Sequence, residues 1–124
     1  MFSLPYTGFH SVEKLKSVKN SLEGLAIPGN GISSLTFDDL YAMKTLYAYN
    51  NELTELTFNG NCALQHIAIN RNQLTDIPHL ACMKSTLKTL HIDKNKLIAV
   101  CNDSWTDFTK LKDLDLHENC KQVC

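Results

Sequence analysis

Arginine is nearly absent from this sequence; Arg71 is the only one. Lysine brings the basic total to 12 against 13 acidic residues, a formal net charge of −1. A nucleic-acid surface needs a dense basic patch with several arginines, so no nucleic-acid partner is expected. Long apolar runs are missing too. No stretch approaches the ~18 apolar residues of a membrane helix, so direct membrane insertion is not expected. The amino end, Met1 to His10, has neither a charged lead-in nor an unbroken apolar core, so it does not read as a secretory signal. There is no glycine-rich phosphate loop, no H-E-x-x-H, no G-x-S-x-G and no paired C-x-x-C. The sequence therefore predicts no enzyme, no catalytic residue and no cofactor.

Cysteine is present but uneven. Cys62, Cys82, Cys101, Cys120 and Cys124 all lie from the midpoint onward, and their number is odd. In an exported protein an odd count means a free thiol, a partner chain or a missing piece of sequence. A reduced, buried set is the alternative, since free cysteine packs as a small hydrophobe.

What the sequence has in abundance is a repeat. Leu22, Leu25, Ile27, Asn30, Ile32 and Leu35 follow the pattern L-x-x-L-x-L-x-x-N-x-L-x-x-L. The frame returns at Met43, Leu46, Ala48, Asn51, Leu53 and Leu56, then at Leu64, Ile67, Ile69, Asn72, Leu74 and Ile77. A fourth copy reads Leu87, Leu90, Ile92, Asn95, Leu97 and Val100, and a fifth begins Leu111, Leu114, Leu116, Asn119. The asparagines are spaced by 21, 21, 23 and 24 residues.

Each L-x-L alternates with period two and supplies a short strand with one apolar face. One such strand cannot bury that face alone, but copies stacked side by side form a parallel sheet over a continuous core. The chain turns sharply after each strand, and the turn leaves backbone groups inside. An asparagine offers both a carbonyl and an amide to satisfy them. Asn30, Asn51, Asn72, Asn95 and Asn119 are accordingly read as structural residues rather than ligands. Phe37 with Leu40, Leu80 with Met83, and Trp105 with Phe108 are expected to form the outer wall through brief helical or 3₁₀ turns. Trp105 is read as wall core, with an exposed anchor for a partner as the alternative.

The frame resembles the leucine-rich repeat family over most of the chain. That resemblance implies an α/β leucine-rich repeat solenoid with a concave parallel β-sheet and short helical or 3₁₀ turns on the convex side. Residues 1–124 form a single domain on this reading, with a partial repeat over 1–21 and repeats from 22, 43, 64, 87 and 111. The run Leu114 to Cys124 is similar to the start of a cysteine-bearing cap, placed at 119–124. Such caps are common in extracellular leucine-rich repeat proteins, including Toll-type receptor ectodomains and arthropod leucine-rich immune proteins. The aromatic or proline usual near the first cysteine of those caps is missing here. The chain therefore reads as part of a longer, exported precursor, with a cytoplasmic location as the alternative. Cys62 and Cys82 occupy nearly equivalent places in neighbouring coils and could bridge; Cys101 and Cys124 also fall near one another. The sequon Asn102-Asp103-Ser104 permits glycosylation of an exported chain.

The frame also names the side chains that point away from the core. One outward column reads Ala26, Tyr47, Ala68, His91, Asp115, and the next reads Pro28, Tyr49, Asn70, Asp93, His117. Gly24, Thr45, His66, Thr89 and Asp113 flank them on one side; Gly29, Asn50, Arg71, Lys94 and Glu118 flank them on the other. Tyr47 and Tyr49 beside Arg71 have the composition of an interface hot spot, and an ordinary solvated face is the alternative. Tyr47, Tyr49, His66, Asn70, Arg71, His91, Asp93 and Lys94 are the candidate partner-binding residues. His91, Asp93, Asp115 and His117 could hold a divalent metal, form two surface His–Asp pairs, or make binding depend on pH. The surface-pair reading is taken, so no metal ligand is expected.

Leucine-rich repeats serve as binding scaffolds, so the resemblance implies non-catalytic recognition of a protein or other large partner on the concave face. An extracellular protein of innate-immune or receptor type is the first reading. An intracellular adaptor resembling the leucine-rich regulators of phosphatase complexes is the second.

Overall fold

The alternation of L-x-L becomes a strand in every copy. The computed structural model describes residues 1–5, 7–9, 12–98 and 105–119. Among the described residues six short strands lie side by side in one parallel sheet: β1 (Phe2–Ser3), β2 (Gly24–Ala26), β4 (Thr45–Tyr47), β6 (His66–Ala68), β7 (Thr89–His91) and β8 (Asp113–Asp115). The register follows the repeat frame, with Leu25 opposite Leu46, Leu46 opposite Ile67, Ile67 opposite Leu90 and Leu90 opposite Leu114. The amino-terminal partial repeat joins the same sheet, with Phe2 paired to Leu25.

Each strand buries one face. Leu25, Leu46, Ile67 and Leu90 are fully sequestered, as are Ile27, Ala48, Ile69 and Ile92 one step further along each coil. These rows, with Leu53, Leu64, Met83, Leu87 and Leu97, form one continuous core running the length of the stack. The fold is a leucine-rich repeat solenoid, as the frame predicts.

The outer wall differs from the expectation in two coils. Instead of helical turns, β3 (Ser34–Asp38) and β5 (Glu55–Asn59) form a second parallel pair, with Phe37 stacked on Phe58 at 5.9 Å between ring centroids. The reason lies in a repeated alternation: Leu35-Thr36-Phe37 and Leu56-Thr57-Phe58 each turn two apolar side chains inward around a β-branched threonine. The next coil has Pro78 at the corresponding stretch, and proline has no amide to continue such a ladder. That coil carries the 3₁₀ turn Ala81–Met83 instead, and a longer one, Val12–Val18, precedes the first full coil. Trp105 packs on Phe108 at 5.3 Å, within the wall.

Cys62 and Cys82 are joined by a disulfide that ties neighbouring coils together. Val100, Cys101, the Asn102 sequon and the cap residues 120–124 lie outside the described residues. Among the described residues no helix is long and apolar enough to cross a membrane.

Candidate functional site

The asparagines come first, because they set the depth at which the next side chains stand. Asn51 donates from Nδ2 to the carbonyls of Ile27, Ala48 and Tyr49 at 3.1, 3.1 and 3.3 Å. Its Oδ1 accepts the backbone amides of Asn30 and Ile32 at 2.8 and 3.2 Å. Asn72 does the same one coil on, donating to Ala48, Ile69 and Asn70 and accepting from Leu53 at 2.9 Å. Asn95 and Asn119 accept from Leu74 and Leu97, and Asn30 gathers the amides of Thr7, Gly8 and Phe9. Each asparagine side chain therefore bonds its own turn and the turn of the coil before it. Asn61 was not singled out by the repeat. It is fully buried and donates to the Leu40 carbonyl at 3.1 Å, beside the disulfide at Cys62.

Immediately before each repeat asparagine the backbone takes a left-handed step. Gly29, Asn50, Arg71, Lys94 and Glu118 have φ of 69, 59, 57, 57 and 55°. Glycine and asparagine tolerate this conformation, whereas arginine, lysine and glutamate carry a steric cost of about 1–2 kcal/mol. The step does not break the ladder: the amides of Asn50, Arg71 and Lys94 each bond the next coil, at Asn70, Asp93 and His117, at 3.0 Å. Arg71→Gly is expected to raise stability by about 0.5–1 kcal/mol, less than the full relief because glycine also loosens the unfolded chain. Chemical denaturation of the two chains measures it, and a loss of stability would contradict a steric cost at this step.

The outward columns follow the strand register. Thr45, His66, Thr89 and Asp113 stand in one row, and Ala26, Tyr47, Ala68, His91 and Asp115 in the next. Tyr47 is half-buried, and Tyr49, just past the end of β4, is 37% exposed. Asn70 and Lys94 are partly exposed, Arg71 is exposed, and Asp93 is buried. Of the eight candidates, Tyr47, His66 and His91 lie within strands, while Tyr49, Asn70, Arg71, Asp93 and Lys94 follow them.

Polar contacts concentrate at the carboxy-terminal end of this face. The His66 ring lies 3.0 Å from the Thr89 hydroxyl in the neighbouring strand. His91 sits opposite Asp115 in the backbone register, yet its ring bonds Asp113 at 3.0 Å. Asp115 instead engages His117 two residues further on, through both the His117 ring and its backbone amide. Glu118 adds a contact of 3.0 Å to the other side of that ring and reaches Lys94 at 3.7 Å. His91 and Asp115, neighbours in the register, are thus engaged diagonally and within one coil rather than with each other. Asp113 and Glu118 are the partners that the sequence did not single out, although Asp113 faces the same way as Asp115, two residues away.

The hydrogen bond to Asp115 raises the His117 pKa above the usual 6.5, against the opposing effect of burial, and the charges of Asp115, Asp93 and Glu118 add to the rise. Burial alone would raise the Asp115 carboxyl, but the bonds from His117 outweigh it and leave that group below its ordinary range. A raised histidine favours the protonated folded form, and that contribution fades as pH climbs through the folded-state value. The His117 ring resonances are expected to titrate with a midpoint above 6.5, and Asp115→Asn to lower it. A midpoint unmoved by that substitution would contradict the pairing.

Parallel coils with a five-rung asparagine ladder define the class: the chain is a leucine-rich repeat solenoid. Among known proteins it is similar to lumican of Rattus norvegicus, with 30% identity over 112 residues, 86% of this chain and 32% of the relative. Biglycan of Sus scrofa is 31% identical over 119 residues (90% and 42% of the two chains), and podocan of Mus musculus 32% over 115 (89% and 17%). These relatives are extracellular leucine-rich repeat proteoglycans. The chain spans about a third of the length of the rat lumican it matches, 32%. No family model and no solved structure matches it.

Proposed function

We propose that the chain is a non-catalytic recognition module of an extracellular protein, and that it binds a protein partner across the concave face of its six-stranded sheet. The observation that carries this reading is the outward row pattern. Each strand commits its central apolar residue to the core and presents the two beside it, among them Tyr47, His66 and His91. Tyrosine and arginine beside an ordered sheet supply rigid contact area and a forked donor at low entropic cost. The proposed contact residues are Tyr47, Tyr49, His66, Asn70, Arg71, His91, Asp93 and Lys94.

The relatives favour a matrix partner over the immune-type or receptor-type ligand that the carboxy-terminal resemblance implied. The Cys62–Cys82 bridge favours an oxidising compartment and weighs against the cytoplasmic adaptor. A photo-crosslinking residue placed at position 49, and separately at position 57 on the opposite wall, tests the proposal in extracellular matrix extract. Specific protein adducts from position 49 and none from 57 support the sheet face. Adducts from 57 alone would overturn it.

A further inference from the structure

We propose that Asp93, Asp115 and His117 form a binding site for a divalent metal ion of the zinc class on the sheet face. Three features converge on this cluster. One donor atom from each residue lies within 4.8 Å of the other two, across two neighbouring coils. The coils bring them together because Asp93 and His117 occupy the same column, while Asp115 stands two residues before His117 on the same face.

The second feature is independent of that proximity. Asp93 is more than nine-tenths buried, at 8% exposure, and its carboxylate has neither a hydrogen bond nor an ion pair among the described residues. Every other acidic side chain in this corner is engaged: Asp113 by His91, Asp115 by His117, Glu118 by Lys94 and His117. With no hydrogen bond of its own among the described residues, this largely buried carboxylate is left open to a cation held against it.

The third feature is charge. Among the described residues, the acidic side chains of Asp93, Asp113, Asp115 and Glu118 have one ion pair with a permanent cation, Lys94 at 3.7 Å from Glu118, and otherwise meet the histidines His91 and His117. The corner as a whole therefore attracts positive charge.

The donor set selects the ion. Two carboxylate oxygens and one imidazole nitrogen suit zinc and its neighbours, which take three protein ligands and leave a fourth position to water. Calcium takes six to eight oxygen ligands and magnesium an octahedron of oxygens, so this trio fits neither. Zinc–ligand bonds of about 2.0–2.2 Å require the three side chains to draw closer, a movement within the reach of side-chain rotation. On binding, the ion enters between the groups and any proton on the ligating His117 nitrogen leaves to solvent.

Titration calorimetry with zinc chloride tests the site at neutral pH, using the whole chain with its disulfide intact and any free thiols alkylated. The expected result is one zinc per chain, no binding heat with magnesium chloride, and affinity lower by roughly tenfold or more in both D93N and H117Q. The His117 ring signals should shift on zinc addition while those of His66 stay in place. H117Q alters a side chain that is 56% exposed, so it carries the test even where D93N fails to fold. Absence of zinc binding, equal affinity in the folded variants, or a response confined to other histidines would overturn the proposal.

Discussion

Asn51→Ala is expected to destabilise the chain by roughly 2–4 kcal/mol, at about 1–3 kcal/mol for each buried donor left without an acceptor. Two such donors lose their partner, the amides of Asn30 and Ile32. One of them belongs to the preceding asparagine of the ladder, so the substitution weakens two turns. Alanine offers no replacement, and residue 51 is only 8% exposed, too enclosed for water to substitute freely. Asn72→Ala strands only the Leu53 amide and should cost less, roughly 1–3 kcal/mol. Urea denaturation of the two variants checks both the size and the order. A cost below ~0.5 kcal/mol for either would contradict the ladder as a source of stability.

Removing the disulfide should have a comparable effect. Cys62 and Cys82 are 20 residues apart in sequence, and closing a loop of that size restricts the unfolded chain by about 3 kcal/mol in the chain-entropy description. In a stack where each coil touches only its neighbours, the tie acts on one interface, between the β5 coil and the next. Both cysteines are exposed, so a mild reductant reaches the bond in the folded state. Comparing unfolding midpoints of the native chain and Cys62→Ser/Cys82→Ser measures the contribution. A difference under ~1 kcal/mol would mean that the bridge closes a loop already held by other contacts.

The solenoid was readable because its physics repeats. Leu46, Ile67 and Leu90 fall at one frame position, and a period-two strand can bury only one of its faces, so the outward columns followed directly. The outer ribbon of β3 and β5 was not readable in the same way. Leu35-Thr36-Phe37 is too short an alternation to distinguish a strand from a turn, and only its neighbour Leu56-Thr57-Phe58 at the same frame position makes pairing possible. The left-handed steps were hidden for a different reason. Gly29 and Asn50 advertise such a conformation, but Arg71, Lys94 and Glu118 inherit it from the stack against their own preference.

Side-chain partners at the end of the sheet exceeded what register alone determines. Register places His91 opposite Asp115, yet a long ring can reach along the diagonal to Asp113, and Asp115 is taken by a histidine on its own coil. The burial of Asp93, in a column whose neighbours Asn70 and His117 are more exposed, is likewise beyond what the spacing describes.

The sheet face as the recognition surface is tested most directly by the affinity of Tyr47→Ala/Tyr49→Ala for the partner captured at position 49. Both rings lie outside the fully buried core, so the fold should persist and its circular dichroism remain unchanged. The predicted result is affinity lower by roughly tenfold or more, the scale of an aromatic hot spot. Unchanged affinity with the fold intact would contradict it and move recognition to the opposite wall or the edges of the stack.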